Sequence, residues 1–216
     1  MSWILHVFTS SVGKKVIMSL TGLFLCLFLV VHLSGNLLLF KHDGGVAFNA
    51  YSEFMSTNGF IRFNEFVLLF GFLFHIIDSL VLTLKNRSAR PVRYAINKPS
   101  ANSSLASRNM GITGSIVLVF LVIHLRTFLV EQRFLHAHET MYKSVQSAFQ
   151  SPYYSVFYLL AMVLLGFHLY HGFQSTFQSL GLSHGRYTPL IKKIGLLFSM
   201  IVPAGFATMP VYFYFF

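Results

Sequence analysis

Histidine stands inside four otherwise apolar stretches of this chain: His32 in LVVHLSGN, His75 in GFLFHIID, His124 in LVIHLRTF, and His168 with His171 in GFHLYHGF. An ionisable side chain in hydrocarbon is costly and marks a working position. Imidazole is also a common axial ligand of haem iron. Two imidazoles on one iron leave no open position for oxygen, so the chemistry that remains is one-electron transfer. Four such histidines supply the axial ligands of two haems b.

The elements that carry these histidines are long enough to cross a membrane. The chain has 216 residues, of which 55% are hydrophobic and only 10% charged, with a mean hydropathy of +0.64. Apolar runs lie at about 16–40, 63–84, 110–130, 153–176 and 191–215. At about 1.5 Å per residue each spans the hydrocarbon core, which takes roughly 20 residues. The expected fold is an all-α membrane protein. A single transmembrane cytochrome b domain fills residues 1–216, with four helices bundled around two stacked haems. The fifth run has no histidine and is expected to pack beside the bundle or face lipid. Lys14 and Lys15 precede the first run, which has no small-residue cleavage site and contains His32, so it reads as a retained span and not a signal peptide.

Cys26 is the only cysteine. This excludes a disulfide frame, a cysteine-ligated iron-sulfur cluster and a CxxCH attachment site, so any haem is held without a covalent bond. The formal net charge of +10 does not point to nucleic acid, because the basic residues fall between the apolar runs and form no aromatic-interleaved module. They read as topology signals and contacts to membrane lipids. With the N-terminus in the cytoplasm, Lys14, Lys15, the basic run from Lys85 to Arg108, and Arg186, Lys192 and Lys193 lie inside. Lys41, Arg62, Arg126, Arg133 and Lys143 then lie outside. That majority of cytoplasmic positive charge sets the orientation, with the C-terminus outside.

Successive spans alternate in direction, so distance to the nearest loop gives depth. His32 lies nine residues before Lys41 and His124 seven before Glu131. Both are about 10 to 14 Å from the outer end. His75, ten residues before Lys85, and His168, nine before Phe177, share the inner half at roughly 15 Å from that end. A lone histidine at depth is explained well enough by an interhelical hydrogen bond. Four at matched depths on four spans point to an outer haem between His32 and His124 and an inner haem between His75 and His168. Gly35, Gly71, Gly166 and Gly172 are candidates for making room for a flat macrocycle, with close helix packing as the alternative.

His171 is three residues from His168 and shares its helix face, so only one of the two need be a ligand. Depth favours His168 and leaves His171 to bond a haem propionate. Arg126, Lys14 and Lys15 are candidates for neutralising propionates or lipid phosphate. Asp78 is the only acidic residue towards the inner half of the spans and is expected to pair with a basic group on a partner or carry protons. The loop HAHET contains His136 and His138, a weak metal pattern without carboxylate support, and reads as a solvated loop.

The segment SSVGKKVIMSLTGLFLCLFLVVHLSGNLLLF, the histidines of GFLFHIID and VIHLRTF, and the stretch GFHLYHGFQSTFQSLG resemble the cytochrome b membrane-anchor subunit of succinate dehydrogenase and fumarate reductase, in its single-anchor, five-helix, dihaem form. The resemblance covers nearly the whole chain. It implies a place in the bacterial cytoplasmic membrane and two docked partners, a flavoprotein with FAD and an iron-sulfur protein. Electrons pass between these and a membrane quinone, with menaquinone expected. It implies His75 and His168 as ligands of the haem near the cytoplasm, and His32 and His124 as ligands of the distal one. The basic loop from Lys85 to Arg108 is the expected docking surface. Relatives carry an acidic residue after the first helix near a quinone, for which Glu53 is the nearest candidate here. Some also carry a proton-transferring glutamate two residues before the fourth-span histidine, where this chain has Gly166. Succinate chemistry itself falls to the partners. Composition and depth alone leave open a dihaem cytochrome of hydrogenase or formate dehydrogenase, and less readily a proton-coupled transporter or a haem-free anchor.

Overall fold

A computed structural model describes residues 10–89, 104–135 and 139–216. The His136–His138 pair and most of the basic loop, including Arg90, Arg93 and Lys98, lie outside the described residues.

Every regular element among the described residues is helical. Helix α1 (Ser11–Asn36) starts on Ser10, whose hydroxyl accepts the Gly13 N–H at 3.0 Å, and tightens into a 3-10 turn at Leu37–Phe40. A short helix α2 (Val46–Thr57) follows, and then α3 (Gly59–Ser88), capped by the Asn58 side chain on the amides of Phe60 and Ile61. Helix α4 (Met110–His124) runs on through a π-helical stretch at Leu125–Val130 to Arg133. Then come α5 (Met141–Gln150), α6 (Pro152–Ser179) and α7 (Thr188–Phe215), the last two opening on a proline in the first turn. Proline is tolerated there because the first-turn N–H groups have no intrahelical acceptor.

Among the described residues five helices are long and apolar enough to cross a membrane, as the apolar runs predicted. The helices overrun those runs: α1 begins at Ser11 and not at 16, and α3 covers 59–88 and not 63–84. Polar ends and caps extend helical hydrogen bonding past the hydrocarbon-compatible stretch. The end of the bundle at which α1 starts is here the near end, and the end at which it finishes is the far end.

Helix α6 is the centre. It packs against α1, α4 and α7, while α3 packs on α1. Its buried side chains Tyr158, Ala161, Met162, Leu165 and Leu169 meet Val202, Phe206, Met209 and Phe213 of α7. Pro203, inside α7, has no N–H to give to the Ser199 carbonyl. That carbonyl faces Gly166, where an added Cβ would sit 3.1 Å from it. The opposite surfaces are apolar and exposed, as with Phe63, Phe66, Phe70 and Phe74 along α3. A continuous face of this kind belongs in lipid. The molecule is a multi-pass membrane protein.

The sequence reading left 41–62 and most of 131–152 as loops, and here the structure differs. Helices α2 and α5 cover the far end of the bundle. Each buries a narrow apolar stripe, Phe48 from α2 and Val145 with Phe149 from α5, and leaves its polar face out. The mixed composition hid them from a search for long apolar runs. Asp43 starts α2 by accepting the amides of Gly45 and Ala47, and the Asn49 side chain accepts the Tyr142 amide at 2.9 Å, tying the two helices together. Arg133, just past α4, donates twice to Glu65 of α3, at 3.0 and 3.2 Å.

Candidate functional site

The four span histidines meet in two pairs. At the far level, the rings of His32 (α1) and His124 (α4) have centroids 5.9 Å apart and lie edge to face. At the near level, His75 (α3) and His168 (α6) are 6.3 Å apart in the same arrangement. His171 makes no ring contact with His75 and no hydrogen bond among the described residues, so the fold brings His168 and not its neighbour to the pair.

The far pair sits in aromatic surroundings. Phe28 and Phe206 flank His32 at 5.2 and 5.6 Å, and Phe120 and Phe128 flank His124 at 5.7 and 5.2 Å. The Tyr158 hydroxyl lies 2.9 Å from His124 Nδ1. A cavity of about 250 Å³ opens beside the two rings towards the far end, with Asn36, Tyr51, Ser52 and Met55 in its wall. Burial pushes the Tyr51 phenol above its ordinary range, so it stays protonated there. Phe206 and Met209 of α7 also line this cavity, so the fifth helix completes the site and does more than pack beside the bundle.

The near pair is backed by helix main chain. His75 Nδ1 lies 3.3 Å from Thr21 Oγ1 of α1. A Cβ added at Gly22 would meet His75 Cε1 at 3.5 Å, and one at Gly114 would meet His168 Cε1 at the same distance. The Nδ1 edges of the two rings therefore lie against α1 and α4. His168 Nδ1 is buried with no hydrogen-bond partner.

This donor set fits haem iron. Imidazole bonds to a first-row metal are about 2 Å long, so centroids 5.9 and 6.3 Å apart are the spacing at which both rings of a pair would reach one iron. The imidazoles are part-buried in apolar surroundings, and Gly22 and Gly114 lie behind the ring edges of the near pair. No group of three or more His, Cys, Asp or Glu side chains that could hold a metal ion occurs among the described residues.

Other expected site residues fall elsewhere. Lys14 forms an ion pair with Asp78 of α3 within the chain, Nζ to Oδ1 3.6 Å. Lys15 is exposed. Arg126 points outward and is held by Glu131 at 3.1 Å. Glu53 is exposed on α2 and is not part of the cavity wall, which takes Tyr51, Ser52 and Met55 from that helix. The four glycines first singled out serve close packing: Gly35 against the Tyr51 ring, Gly71 against Phe24, Gly166 against α7 and Gly172 against Met110. The glycines that face histidine rings are Gly22 and Gly114. Depth would have found them, since each lies in the same half of its span as the ring it backs. Thr21 and Tyr158, hydroxyls within apolar runs, carried the same unused signal.

Residues 83–203 match the succinate dehydrogenase/fumarate reductase transmembrane subunit family. The chain belongs to that family. No curated protein and no solved structure matches it. As a succinate dehydrogenase/fumarate reductase transmembrane subunit it is the membrane part of an oxidoreductase complex, which disfavours the proton-coupled transporter. The matched stretch takes in His124, His168 and His171 and stops short of His32 and His75. At Gly166 any side chain would bring its Cβ to 3.1 Å from the Ser199 carbonyl, tighter than an ordinary contact.

Proposed function

We propose that this subunit is a dihaem cytochrome b of the single-anchor, five-helix type. It holds the flavoprotein and iron-sulfur subunits at the membrane and conducts electrons between them and a membrane quinone, menaquinone in the first instance. The observation that carries the reading is the meeting of four span histidines as two pairs at two depths. His32 with His124 would hold one haem, and His75 with His168 the other. Haem held by these pairs would supply reversible one-electron transfer. The chain's part is to present two neutral imidazoles per iron, to exclude water with Phe28, Phe120, Phe128 and Phe206 at the far pair, and to set each ring's orientation from neighbouring helices.

The basic residues favour a cytoplasmic near end. That orientation puts the near pair towards the docked subunits and the far pair and its cavity towards the opposite face. The cavity offers an apolar wall with the Tyr51 and Ser52 hydroxyls and the Asn36 amide as hydrogen-bond partners, a chemistry suited to a quinone head. Glu53 keeps only a peripheral place in this reading. A dihaem subunit of hydrogenase or formate dehydrogenase would show the same rings, and the family membership favours the succinate and fumarate complex.

The purified complex is expected to show reduced b-type bands with two haems per chain, together with a flavoprotein and an iron-sulfur protein. His32→Ala and His75→Ala are each expected to remove a different haem. A preparation without haem, or the same haem lost in both variants, would overturn the reading.

A further inference from the structure

Each histidine pair has a hydroxyl behind one ring and none behind the other. Thr21 Oγ1 has a single proton, and it goes to the main chain: the Ile17 and Met18 carbonyls lie at 2.9 and 3.1 Å. The contact of that oxygen with His75 Nδ1 at 3.3 Å therefore uses an oxygen lone pair, with His75 as the donor, and the Met18 carbonyl stands as a second acceptor for the same ring. A proton fixed on Nδ1 leaves Nε2 as the ring's lone pair. At the far pair, the Tyr158 phenol is 2.9 Å from His124 Nδ1 and has no other hydrogen-bond partner among the described residues. Its ring is 6% exposed and is held edge-on by Phe120 and Phe149, at 4.8 and 4.9 Å. By contrast His168 Nδ1 is buried and unpartnered, and no hydrogen bond to the His32 ring is found among the described residues.

The anchors are arranged crosswise. Thr21 lies on α1, which carries the far-pair histidine His32, yet it anchors the near pair. Tyr158 lies on α6, which carries the near-pair histidine His168, yet it anchors the far pair. The turns between ligand and anchor on each helix set the level of both pairs at once.

We propose that Thr21 and Tyr158 are positioning residues for the two haems, each accepting the Nδ1–H of one ligand and so presenting that ring's Nε2 to iron. The inference rests on the dihaem reading. Thr21 fixes the tautomer before iron binds, because its own proton is already committed. Tyr158 follows the tautomer that iron selects, because its hydroxyl can turn. Hydrogen-bond donation from Nδ1 raises the basicity of the bound imidazole and favours ferric iron, so each anchor lowers the potential of its own haem.

The test uses the assembled complex with Tyr158→Phe, Thr21→Val and Thr21→Ser, read by haem content, potentiometric titration of the b bands and the low-spin iron resonance. Tyr158→Phe keeps the ring volume and is expected to retain two haems. It should raise the midpoint, and shift the resonance, only of the haem that His124→Ala removes. Thr21→Val is expected to do the same to the haem that His75→Ala removes, while Thr21→Ser, which keeps the hydroxyl, behaves as wild type. Unmoved midpoints in a dihaem protein, or both haems shifting together in each variant, would overturn the anchoring alone. A wild type without haem would overturn the dihaem reading with it. If Tyr158→Phe does not assemble, the two Thr21 variants decide the question on the other pair.

Discussion

Lys14 Nζ lies 3.6 Å from Asp78 Oδ1, and the pair joins the first turns of α1 to the last third of α3 at the near end of the bundle. The side chains are 17% and 9% exposed, so the charges are largely withdrawn from solvent. Asp78 Oδ2 remains without a hydrogen-bond partner. Removing one partner of a buried pair strands the other, at about 3–5 kcal/mol, whereas replacing both with apolar groups is close to neutral. Lys14→Met is therefore expected to lower the unfolding temperature in detergent markedly, and Lys14→Met with Asp78→Leu to recover most of the loss. Equal unfolding temperatures for the single and double variants would show that the pair contributes nothing.

The choice between His168 and His171 can be made directly. His168 faces His75 at 6.3 Å, and His171 has no ring contact with it. His168→Ala is expected to remove the same haem as His75→Ala, by difference spectra and pyridine haemochrome. His171→Ala should keep two haems. One haem missing from His171→Ala and two retained in His168→Ala would exchange their roles.

Gly45 opens α2 with φ +88°, and an added Cβ would come within 2.3 Å of the Tyr142 ring of α5. The backbone conformation alone costs another residue about 1–3 kcal/mol, and the ring has to move as well. Gly45→Ala is expected to loosen the far-end cover, seen as faster amide exchange in α2 and α5, while the near-pair haem keeps its spectrum. Unchanged exchange in both helices would show that the contact is not needed.

Gly166→Ala places a Cβ 3.1 Å from the Ser199 carbonyl, and overpacking of this order typically costs about 1–3 kcal/mol. Gly166→Glu is expected to cost more, because the side chain must also part α6 from α7. Thermal unfolding in the order wild type, Ala, Glu checks this. A Glu variant as stable as wild type would mean that α7 yields freely.

Much of the architecture was legible because hydrocarbon imposes a simple code. Long apolar runs had to be helices, since an unpaired main-chain group has no partner in lipid. The 1.5 Å rise then converted the positions of His32, His75, His124 and His168 into depths. Helices α2 and α5 escaped notice because they lie across the end of the bundle and bury only a stripe. The ion pairs of Lys14 with Asp78 and of Arg126 with Glu131 were not legible for a different reason: a long charged side chain chooses among partners that sequence spacing does not rank.

The sequence by itself determined the membrane-spanning class, the number of spans and the two levels at which histidines occur, all of which follow from distance along the chain. Only the tertiary structure decided which ring of the His168 and His171 pair faces α3, which glycines lie behind the rings, and that the Thr21 and Tyr158 hydroxyls lie against imidazoles of other helices. Those relations depend on how each helix is rotated about its axis. That rotation is set by side-chain packing between helices, as where Pro203 of α7 frees the Ser199 carbonyl against Gly166, and not by any residue's position in its own span.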